Sequence, residues 1–524
     1  MEQINRQSSL NMGAIFKIWF SLLLVFMCVM FPQSNVQAAA GTYYVSTTGS
    51  DSNPGSIDKP WRTIQYAVNR ANAGDTIYIR GGYYGESVYI QRSGANGSPI
   101  TVSAYNGESV EINGGSNIAI YTWSGQSYWT FQNLTIKSNG RFAVRMGWWG
   151  ETTPTNYWTL SHNSIVGAIL VRGHDNKIEY NDISGVGYSQ DGAGIQDIEE
   201  VSYNNIYRNN SIHDFTAWNG RGIWLETRTH DSLVEGNQIW NITGSNGQCI
   251  DLDGYNSLEW RHIIRKNTVR NCTAIGIQLE NTFATVVENN IVINGGTGGI
   301  VVTNYGDGMC QAGGESNQFG DTNRDGSCLG DMTENIIQQN LVIDSKGMGG
   351  IVSYNASGVR VLNNTIARSS SYGIWLGPTA TSHHWEVRNN IIAFTDAPCI
   401  STYSFSQLSV DDNNGLIRNN WVQVYEQTMD DSGLTLAQYQ SKTGKGMHSY
   451  QTNPMFVDMA NGDFHTMKSS PMVDRGADTG LKVDLDGQKR PQGAGYDIGA
   501  YEINVVTVIY ENNFFLPAIM RSTQ

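Results

Sequence analysis

The sequence predicts an all-β fold in the form of a parallel β-helix, and three observations carry this prediction. An Asn followed two residues later by Ile or Val recurs along the middle of the chain. Short β-branched segments such as "GIWLE", "CIDLD" and "GIQLE" keep step with it. Most repeats span roughly 18 to 30 residues, which is typical of stacked coils and not of propeller blades or sandwich hairpins.

The recurring Asn predicts the corner of each coil. Its side-chain amide can hydrogen-bond to the backbone of the coils above and below, so that the asparagines form a ladder through the stack. The step from Asn290 to Asn340 is much longer than the others and predicts a loop insertion at about 303–335. The predicted ladder residues are Asn163, Asn181, Asn210, Asn237, Asn267, Asn290, Asn340, Asn364, Asn390 and Asn420.

Residues 1–40 are predicted to be a signal peptide and not part of the fold. Arg6 and Lys17 precede or enter an apolar run that leads to small residues before a cleavage site. The run is too short to span a membrane. We therefore expect a secreted protein, extracellular or at the cell surface, with no stable membrane span after cleavage. The net charge of −14 offers no basic footprint for nucleic acid.

The segment after the predicted signal peptide carries a family resemblance. Its pattern "GSDSNPGS", "PWRTIQYAV" and "AGDTIYI" is similar to the entry segment of many secreted β-helix proteins. Together with the repeat, it makes the chain resemble the right-handed parallel β-helix proteins of the pectate-lyase type over roughly 42–425. The resemblance implies a single-stranded right-handed solenoid over 41–425, with a helix near 63–75 that caps the first coil.

The C-terminal part resembles a second shared region. The segments "NPMFVDMANGDFHTM" and "DLDGQKRPQGAGYDIGAYE" are similar to the C-terminal region of many secreted β-helix proteins. This resemblance implies that residues 426–502 close the last coil. Residues 503–524 are predicted to be a tail.

Strand register places three acidic residues in one column. Counted from the first Gly or Cys of each strand, Glu226, Asp253 and Glu280 occupy the same position, at intervals of about 27 residues. The Leu before each acid points into the core, so the acids point outward. Neighbouring parallel strands lie about 4.8 Å apart, and like charges at that spacing destabilise a sheet. Asp251 lies one outward position away along its strand.

The cost of stacking these acids predicts a catalytic role for Glu226, Asp253 and Asp251. A carboxyl pair about 5 Å apart suits a retaining glycosidase, and a pair about 9.6 Å apart approaches the inverting range. A raised pKa would make one acid the general acid and leave another as nucleophile or base. We therefore expect a glycoside hydrolase that acts on a poly- or oligosaccharide, with Glu226 and Asp253 as the preferred pair.

Side chains near the column predict a sugar-binding surface. Aromatic rings offer apolar faces to sugars, and guanidinium and imidazole groups donate hydrogen bonds to hydroxyls. The predicted substrate-binding residues are Trp224, Arg221, Glu280, Arg228, Trp218 and His230. No organic cofactor is expected, and the protein is expected to be a monomer.

Two other functions stay open. A calcium-dependent polysaccharide lyase of the pectate-lyase type would use the same acids as calcium ligands. However, Gln278 stands where one such group would place its lysine base, and the sequence lacks the signatures of alginate epimerases and polygalacturonases. The other alternative is a non-catalytic carbohydrate-binding or surface β-helix protein.

The long insertion predicts a calcium-binding loop. Asp321, Asn323 and Asp325 occupy the first, third and fifth positions of an EF-hand-type loop, and Gly follows at the sixth. Met332 stands where that motif requires Glu, so the full motif is not present. Ca²⁺ is therefore the one cofactor expected, bound by the first part of the loop.

The cysteines predict one disulfide. Cys310 and Cys328 flank the Gly-rich part of the insertion and are the favoured pair. The other three cysteines that follow the predicted signal peptide are expected to pack as small apolar residues. They are Cys249, Cys272 and Cys399.

Overall fold

The computed structural model describes most of the chain after the predicted signal peptide. The described residues are 40–185, 192–254, 259–303, 334–354, 356, 358–377, 385–402, 408–417, 424–426 and 434–503. They form a parallel β-helix whose successive coils contribute strands to three long sheets. The all-β solenoid that the repeat predicts is therefore confirmed.

The three sheets run side by side along the described part of the solenoid. The strands of the first sheet are Thr42–Val45, Thr76–Ile79, Ile100–Ala104, Trp129–Gln132, Trp158–Ser161, Lys177–Glu179, Ile206–Arg208, Leu233–Glu235, Ile263–Arg265, Val286–Glu288, Ile336–Gln338, Arg360–Leu362, Trp385–Arg388 and Leu408–Asp412. The strands of the second sheet are Gly82–Tyr84, Val110–Asn113, Asp182–Ser184, Ser211–His213, Gln238–Ile242, Thr268–Cys272, Ile291–Gly295, Leu341–Ile343, Thr365–Ala367, Ile391–Ala393 and Gly415–Ile417. The strands of the third sheet are Val88–Tyr89, Ile120–Thr122, Ala193–Ile198, Arg221–Glu226, Ile250–Asp253, Ile275–Glu280, Gly298–Thr303, Gly349–Tyr354, Tyr372–Leu376, Ile400–Thr402 and Val424–Glu426. Two longer strands, Thr135–Met146 and Ser164–Val171, run through both the second and the third sheet.

A few described elements lie outside these sheets. The helices are Ile64–Val68 and Leu436–Thr443, with a 3₁₀ turn at Met459–Asn461. The parallel pair is Glu259–Trp260 with Thr282–Phe283. The antiparallel pair is Phe456–Asp458 with Asp463–Thr466.

The asparagine ladder that the repeat predicts is confirmed at the corner between the first and second sheets. Asn237 shows the pattern: its Oδ1 accepts from the backbone N–H of Asn210 at 3.0 Å, and its Nδ2 donates to Oδ1 of Asn267 at 2.9 Å. The same bonds link each ladder residue to the next as far as Asn414. After Asn390 the next member is Asn414, which accepts the bond from the N–H of Asn390. The predicted Asn420 lies outside the described residues.

The corner between the second and third sheets needs very small residues. A Cβ on Gly222 would lie 2.6 Å from the core side chain of Ile239, and Gly276 is similarly constrained two coils further on. Cys249 occupies this corner in the coil between them, and its sulfur forms a disulfide with Cys272. The expectation that both cysteines pack as apolar residues is therefore wrong. The corner turns the Cys249 side chain inward, towards the coil that follows.

The N-terminal helix is shorter than the sequence predicts. Of the segment 63–75, only Ile64–Val68 is helical, and the side chain of Thr63 caps its start by accepting from the N–H of Tyr66. Ile64, like Ala67 and Val68, is buried in the core of the solenoid. A helical cap over the first coil stays a prediction.

The C-terminal region packs against the outside of the second sheet. Phe464 and Tyr501 contact the outward residues Leu341 and Ile343 of that sheet. Tyr450 pairs in parallel with the last strand of the same sheet, where its carbonyl accepts from the N–H of Leu416. The division of the chain at 425 and 502 stays a prediction.

Some expectations fall on residues outside the described ranges. These are the signal peptide up to residue 39, the insertion with its calcium loop, the Cys310–Cys328 pair and the tail. Cys399 is described, and it is buried as expected. Within the described ranges, no helix has the length and apolar character needed to cross a membrane.

Candidate active site

Three neighbouring strands of the third sheet hold the acidic column. Glu226 pairs in parallel with Asp253, and Asp253 pairs with Glu280. The preceding residues, Leu225 and Leu252, are fully buried in the core, as is Leu279 in the next coil. The three acids therefore lie on the outer face, one strand spacing apart, which is about 4.8 Å between neighbouring backbones.

Asp251 lies beside the column but is not a surface acid. Only 1% of its side chain is exposed, and its Oδ2 accepts a 2.5 Å hydrogen bond from Nε of Arg221. Its Oδ1 is buried and has no hydrogen-bond partner among the described residues. The sequence predicts the outward direction correctly but places Asp251 at an open surface. Arg221 and the neighbouring side chains enclose it instead.

Arg221 is the cation that joins the cluster. Its Nη2 lies 3.7 Å from Oδ2 of Asp253, in addition to the contact with Asp251. Its guanidinium also lies 4.0 Å from the ring centroid of Trp224 on the same strand. The side chain of Arg221 is 10% exposed, so its charge interacts with the two aspartates in a poorly solvated setting.

Two glutamines complete the polar surroundings. Nε2 of Gln196 donates to Oε2 of Glu226 at 2.8 Å, and Nε2 of Gln278 donates to Oε2 of Glu280 at 3.0 Å. Gln196 and Gln278 both occupy the column of Asp251, two coils before it and one coil after it. The sequence analysis does not name Gln196 as a site residue, although "GIQDI" already places it in that column.

Burial raises the pKa of three acids in the cluster. For Glu280, burial and the charges of Asp253 and Asp251 raise the pKa to about 8. For Asp251, burial raises the pKa to about 6, and the charge of Arg221 opposes the rise. For Glu226, burial again raises the pKa, while the hydrogen bond from Gln196 opposes it. At neutral pH the cluster thus contains both a protonated and an ionised carboxyl group.

Two further acids are buried near the column, and the sequence analysis does not identify them. Asp197 is fully buried, accepts a 2.6 Å hydrogen bond from the hydroxyl of Tyr207, and has a pKa raised to about 7 by burial. Glu259 is also fully buried, and burial followed by the charge of Asp253 raises its pKa well above the usual value. Asp197 pairs with the inward Leu225, so the strand register does reveal it. Glu259 belongs to a short strand outside the repeat, which offers no such indication.

The structure does not bring every predicted substrate-binding residue to the cluster. Nε of Arg228 lies 3.3 Å from Oε2 of Glu200, in the turn that follows the site strand. His230 is stacked between the rings of Tyr203 and Trp260, with centroid distances of 5.1 and 4.6 Å. Only Trp224, Arg221 and Glu280 of the predicted set contact the acids or share their column.

Trp218 lies in the loop that leads into the site strand. Its side chain is 66% exposed, which makes its ring accessible to a ligand. Its backbone carbonyl accepts a hydrogen bond from the N–H of Asn246 in the next coil, so the loop is tied to the stack. A substrate-binding role for Trp218 stays a prediction.

The described residues do not contain a ready metal site. No three of their His, Cys, Asp and Glu side chains are arranged to hold one ion. At the acidic cluster the positive charge comes from Arg221, which takes one oxygen of Asp251. The cluster as described therefore does not fit a calcium centre, although its oxygen atoms are of the kind that calcium prefers.

Comparisons with known proteins agree with this architecture. Residues 43–275 match the family model described as "Pel9A-like, right handed beta helix region". Residues 312–438 match the model described as "Right handed beta helix region". Both models describe right-handed β-helices, which is the handedness that the resemblance implies.

Two curated proteins are similar in sequence. The chain is 42% identical over 84 residues to the uncharacterized protein YwoF of Bacillus subtilis, which covers 16% of this chain but only 18% of that protein. It is 27% identical over 328 residues to pectate lyase PEL9 of Emericella nidulans, covering 49% of this chain and 79% of that lyase.

Two solved structures share the fold. The complex of XylC with xylose aligns with a TM-score of 0.50 at 13% identity, over 88% of this chain and 99% of XylC. A mannuronic acid specific polysaccharide family 6 lyase from human gut microbiota aligns with a TM-score of 0.52 at 14% identity, over 76% of this chain and 90% of the lyase. At these identities the likeness concerns the fold alone.

Proposed function

Because the chain belongs to the pectate-lyase-like superfamily of right-handed parallel β-helix proteins, we propose that it is a polysaccharide lyase. Its substrate would be an acidic polysaccharide that contains uronate residues. The match to the Pel9A-like model covers Glu226 and Asp253 and ends five residues before Glu280, and a pectate lyase is among the sequence relatives. This proposal replaces the glycoside hydrolase that the sequence alone favours.

The observation that carries the proposal is the in-register stack of acids with Arg221 among them. Arg221 lies at hydrogen-bonding distance from Asp251 and 3.7 Å from Asp253 on the outer face. A guanidinium in this position can pair with the carboxylate of a uronate and favour loss of the neighbouring proton. Protonation of Glu280 and the ion pair of Asp251 remove part of the negative charge that would repel such a substrate.

In this proposal the acids divide the proton transfers of β-elimination between them. Glu226 removes the proton from the carbon next to the uronate carboxylate, and its raised pKa makes its ionised form a stronger base than an ordinary carboxylate. The bond from the adjacent carbon to the glycosidic oxygen breaks as a carbon–carbon double bond forms. Glu280, which is protonated at neutral pH, donates its proton to the leaving oxygen. Asp251 and Asp253 position Arg221.

Product analysis on a panel of uronate polysaccharides tests the proposal. A lyase leaves an unsaturated uronate at the new chain end, which absorbs in the ultraviolet, whereas hydrolysis produces only new reducing ends. We expect ultraviolet absorbance to grow with the wild-type protein and with Glu235→Gln, a matched control whose acid pairs with Arg265 on the first sheet. Glu226→Gln should remove the growth. New reducing ends without absorbance would overturn the proposal.

A retaining glycoside hydrolase is the second candidate, and one observation favours it. Glu226 and Asp253 are strand neighbours, as are Asp253 and Glu280, so each pair lies near the roughly 5 Å separation that retention requires. A neutral polysaccharide would also avoid repulsion from the acids. Reducing ends released from neutral polysaccharides would establish this alternative.

Export of the protein and its use of calcium also stay proposals. Export rests on the predicted signal peptide at residues 1–40. Calcium, if it acts, would bind at Asp321, Asn323 and Asp325, outside the described residues. The proposed proton transfers at the acidic cluster need only the residues of the cluster itself.

A further inference from the structure

A second cluster of unusual side chains lies on the same outer face of the third sheet, N-terminal to the acids. It consists of Tyr121, Trp123, Arg145, Trp148 and Trp149, and we call it the aromatic–arginine platform. Tyr121 pairs directly with Arg145 across neighbouring strands. The platform thus belongs to the same sheet as the acidic column but to earlier coils.

Strand pairing places the platform and the acids in one outward column. Arg145 pairs with Leu170, Leu170 with Gln196, Gln196 with Trp224, and Trp224 with Asp251. Four strand steps of about 4.8 Å separate the backbones of Arg145 and Asp251 by about 19 Å. An extended polymer that follows the column would reach both.

Arg145 is a buried cation whose donors are not all used. Arg145 is 5% exposed, and its Nε and Nη2 have no hydrogen-bond partner among the described residues. The charge of Glu151 acts on it, but burial dominates and lowers its pKa. Buried charges without hydrogen-bonded partners are costly, which makes Arg145 a candidate to pair with an anionic ligand.

Aromatic rings surround this guanidinium. Its central carbon lies 4.0 Å from the ring centroid of Trp123, 4.8 Å from that of Trp148 and 5.3 Å from that of Tyr121. Trp123 is 44% exposed, which leaves a large apolar ring accessible next to the buried cation. An exposed ring beside an arginine is the combination that binds a sugar ring and its carboxylate together.

A second guanidinium adds positive charge to the platform. Arg141 is exposed, and its central carbon lies 5.6 Å from the ring centroid of Trp149. The chain as a whole carries a net charge of −14, so two arginines among aromatic rings form a local exception. Their charge attracts a polyanion to a face on which the acids alone would repel it.

We propose that the aromatic–arginine platform is a distal subsite that binds a uronate residue of an acidic polysaccharide. This inference rests on the proposed function for its substrate class. The sugar ring stacks on Trp123, and its carboxylate pairs with the guanidinium of Arg145. The polymer then passes over Trp148 and Trp149, which pack against the buried cluster that includes Leu170, and reaches the acids. The platform holds long chains in register with the cleavage point.

Binding of oligouronates of graded length tests this subsite. The full chain carrying Glu280→Gln, which prevents cleavage, is titrated by calorimetry with chains from dimer to octamer. We expect Trp123→Ala in this background to weaken binding of the longest chains about tenfold, or about 1.4 kcal/mol. Dimers, which cannot span the distance, should bind as before. Tyr83→Ala is the matched control, since Tyr83 is 63% exposed but lies on the second sheet.

A second variant separates a binding role of Arg145 from a structural one. Arg145→Lys keeps a positive charge in the same place but lacks the planar guanidinium, which can donate two parallel hydrogen bonds to a carboxylate. We expect it to weaken binding of long chains while the melting temperature stays near that of the parent. If Arg145→Lys instead lowers the melting temperature without changing the affinity for long chains, the cation is structural and the proposal fails.

The outcomes also separate this inference from the proposed function. Equal weakening of short and long chains by Trp123→Ala, or no weakening of long chains, overturns the distal subsite. Selective loss of long-chain binding supports the subsite even if the wild-type protein forms no unsaturated product, in which case only the lyase proposal falls. Absence of any binding to uronate chains overturns both.

Discussion

The asparagine ladder and the acidic column are both stacks with one polar residue per coil, yet they differ in almost every physical respect. In the ladder, the amide of Asn237 accepts and donates hydrogen bonds of 2.8–3.0 Å to its neighbours above and below. In the acidic column, the residue type changes from coil to coil and pKa values are raised by burial. Beside it, Asp251 keeps an oxygen with no described partner.

The difference shows that some polar stacks in a solenoid stabilise the fold, whereas others can serve its function. Neutral amides can both donate and accept, so a repeated Asn satisfies itself at every level of the stack. Carboxylates only accept when ionised, so a stack of them needs cations, amide donors or protons to be tolerated. Each of these compensations is present around Glu226, Asp253 and Glu280. The electrostatic cost that these groups do not offset leaves raised pKa values, which can serve catalysis or binding.

The largest expected effect comes from neutralising one member of the acidic column. Glu226→Gln should lower the turnover of polysaccharide roughly a thousandfold, because it removes the proposed base without changing the shape of the side chain. Its melting temperature should not fall, since the substitution also removes a like charge next to Asp253. Turnover and thermal unfolding measured on the same preparation check this. A variant with full activity would show that Glu226 has no catalytic role and that the fold only tolerates the stacked acids.

Removal of the Cys249–Cys272 disulfide should have the next largest effect. The bond closes a loop with a sequence separation of 23 residues, so its loss should cost about 3 kcal/mol of unfolding free energy. Cys249→Ala combined with Cys272→Ala, followed by denaturant unfolding, measures this cost. Cys399→Ala is the control, because that buried sulfur forms no disulfide with them. Equal losses in the two variants would mean that packing, and not the cross-link, stabilises this coil.

A break in the ladder should cost somewhat less stability. Asn237→Leu removes the acceptor of Asn210 and the donor to Tyr207, leaving buried groups unsatisfied, and we expect a loss of about 2 kcal/mol. Turnover should stay within a factor of about two after correction for the folded fraction. Denaturant unfolding and initial rates measure both. A variant with native stability but reduced turnover would reverse the roles that we assign to the two stacks.

The last expected effect is a pH dependence of stability that originates in Glu280, whose partial exposure to solvent reduces the effect of its charge. Its pKa is about 8 in the folded chain, above its value of 4.5 in an exposed setting, so the folded state binds more protons in between. Stability should therefore fall as the pH rises from about 4.5 to about 8 and level off above. Glu280→Gln should reduce this fall and raise the melting temperature at about pH 9, but not at about pH 4. Identical pH profiles for the variant and the wild type would contradict the raised pKa.

Sequence periodicity predicts the parts of this protein that the repeat governs. The ladder, the three-acid column and the inward leucines follow from counting, because stacked coils convert sequence separation into position. Counting fails where a coil departs from the pattern. Asn414 follows Asn390 in the ladder, but the motif does not reveal it, because Leu416 and not Ile or Val stands two residues after it.

Burial and cross-links are harder to read from the sequence. Asp251 has the expected register, but its enclosure depends on Arg221 reaching across from the preceding coil. Cys249 stands at a corner that Gly occupies in the coils on either side, and only the turn of the chain there shows that its sulfur meets Cys272. Glu259 has no counterpart in neighbouring repeats. Its burial depends on tertiary packing alone.

Parallel coils in register also restrict how this surface can change during evolution. Backbones in one outward column are separated by whole multiples of the strand spacing, so carboxyl pairs within a column come at about 4.8 or about 9.6 Å. Moving an acid by a single coil would thus exchange one class of reaction geometry for another with only two substitutions. The scaffold itself would not need to be rebuilt, which allows closely similar solenoids to carry out different reactions on sugars.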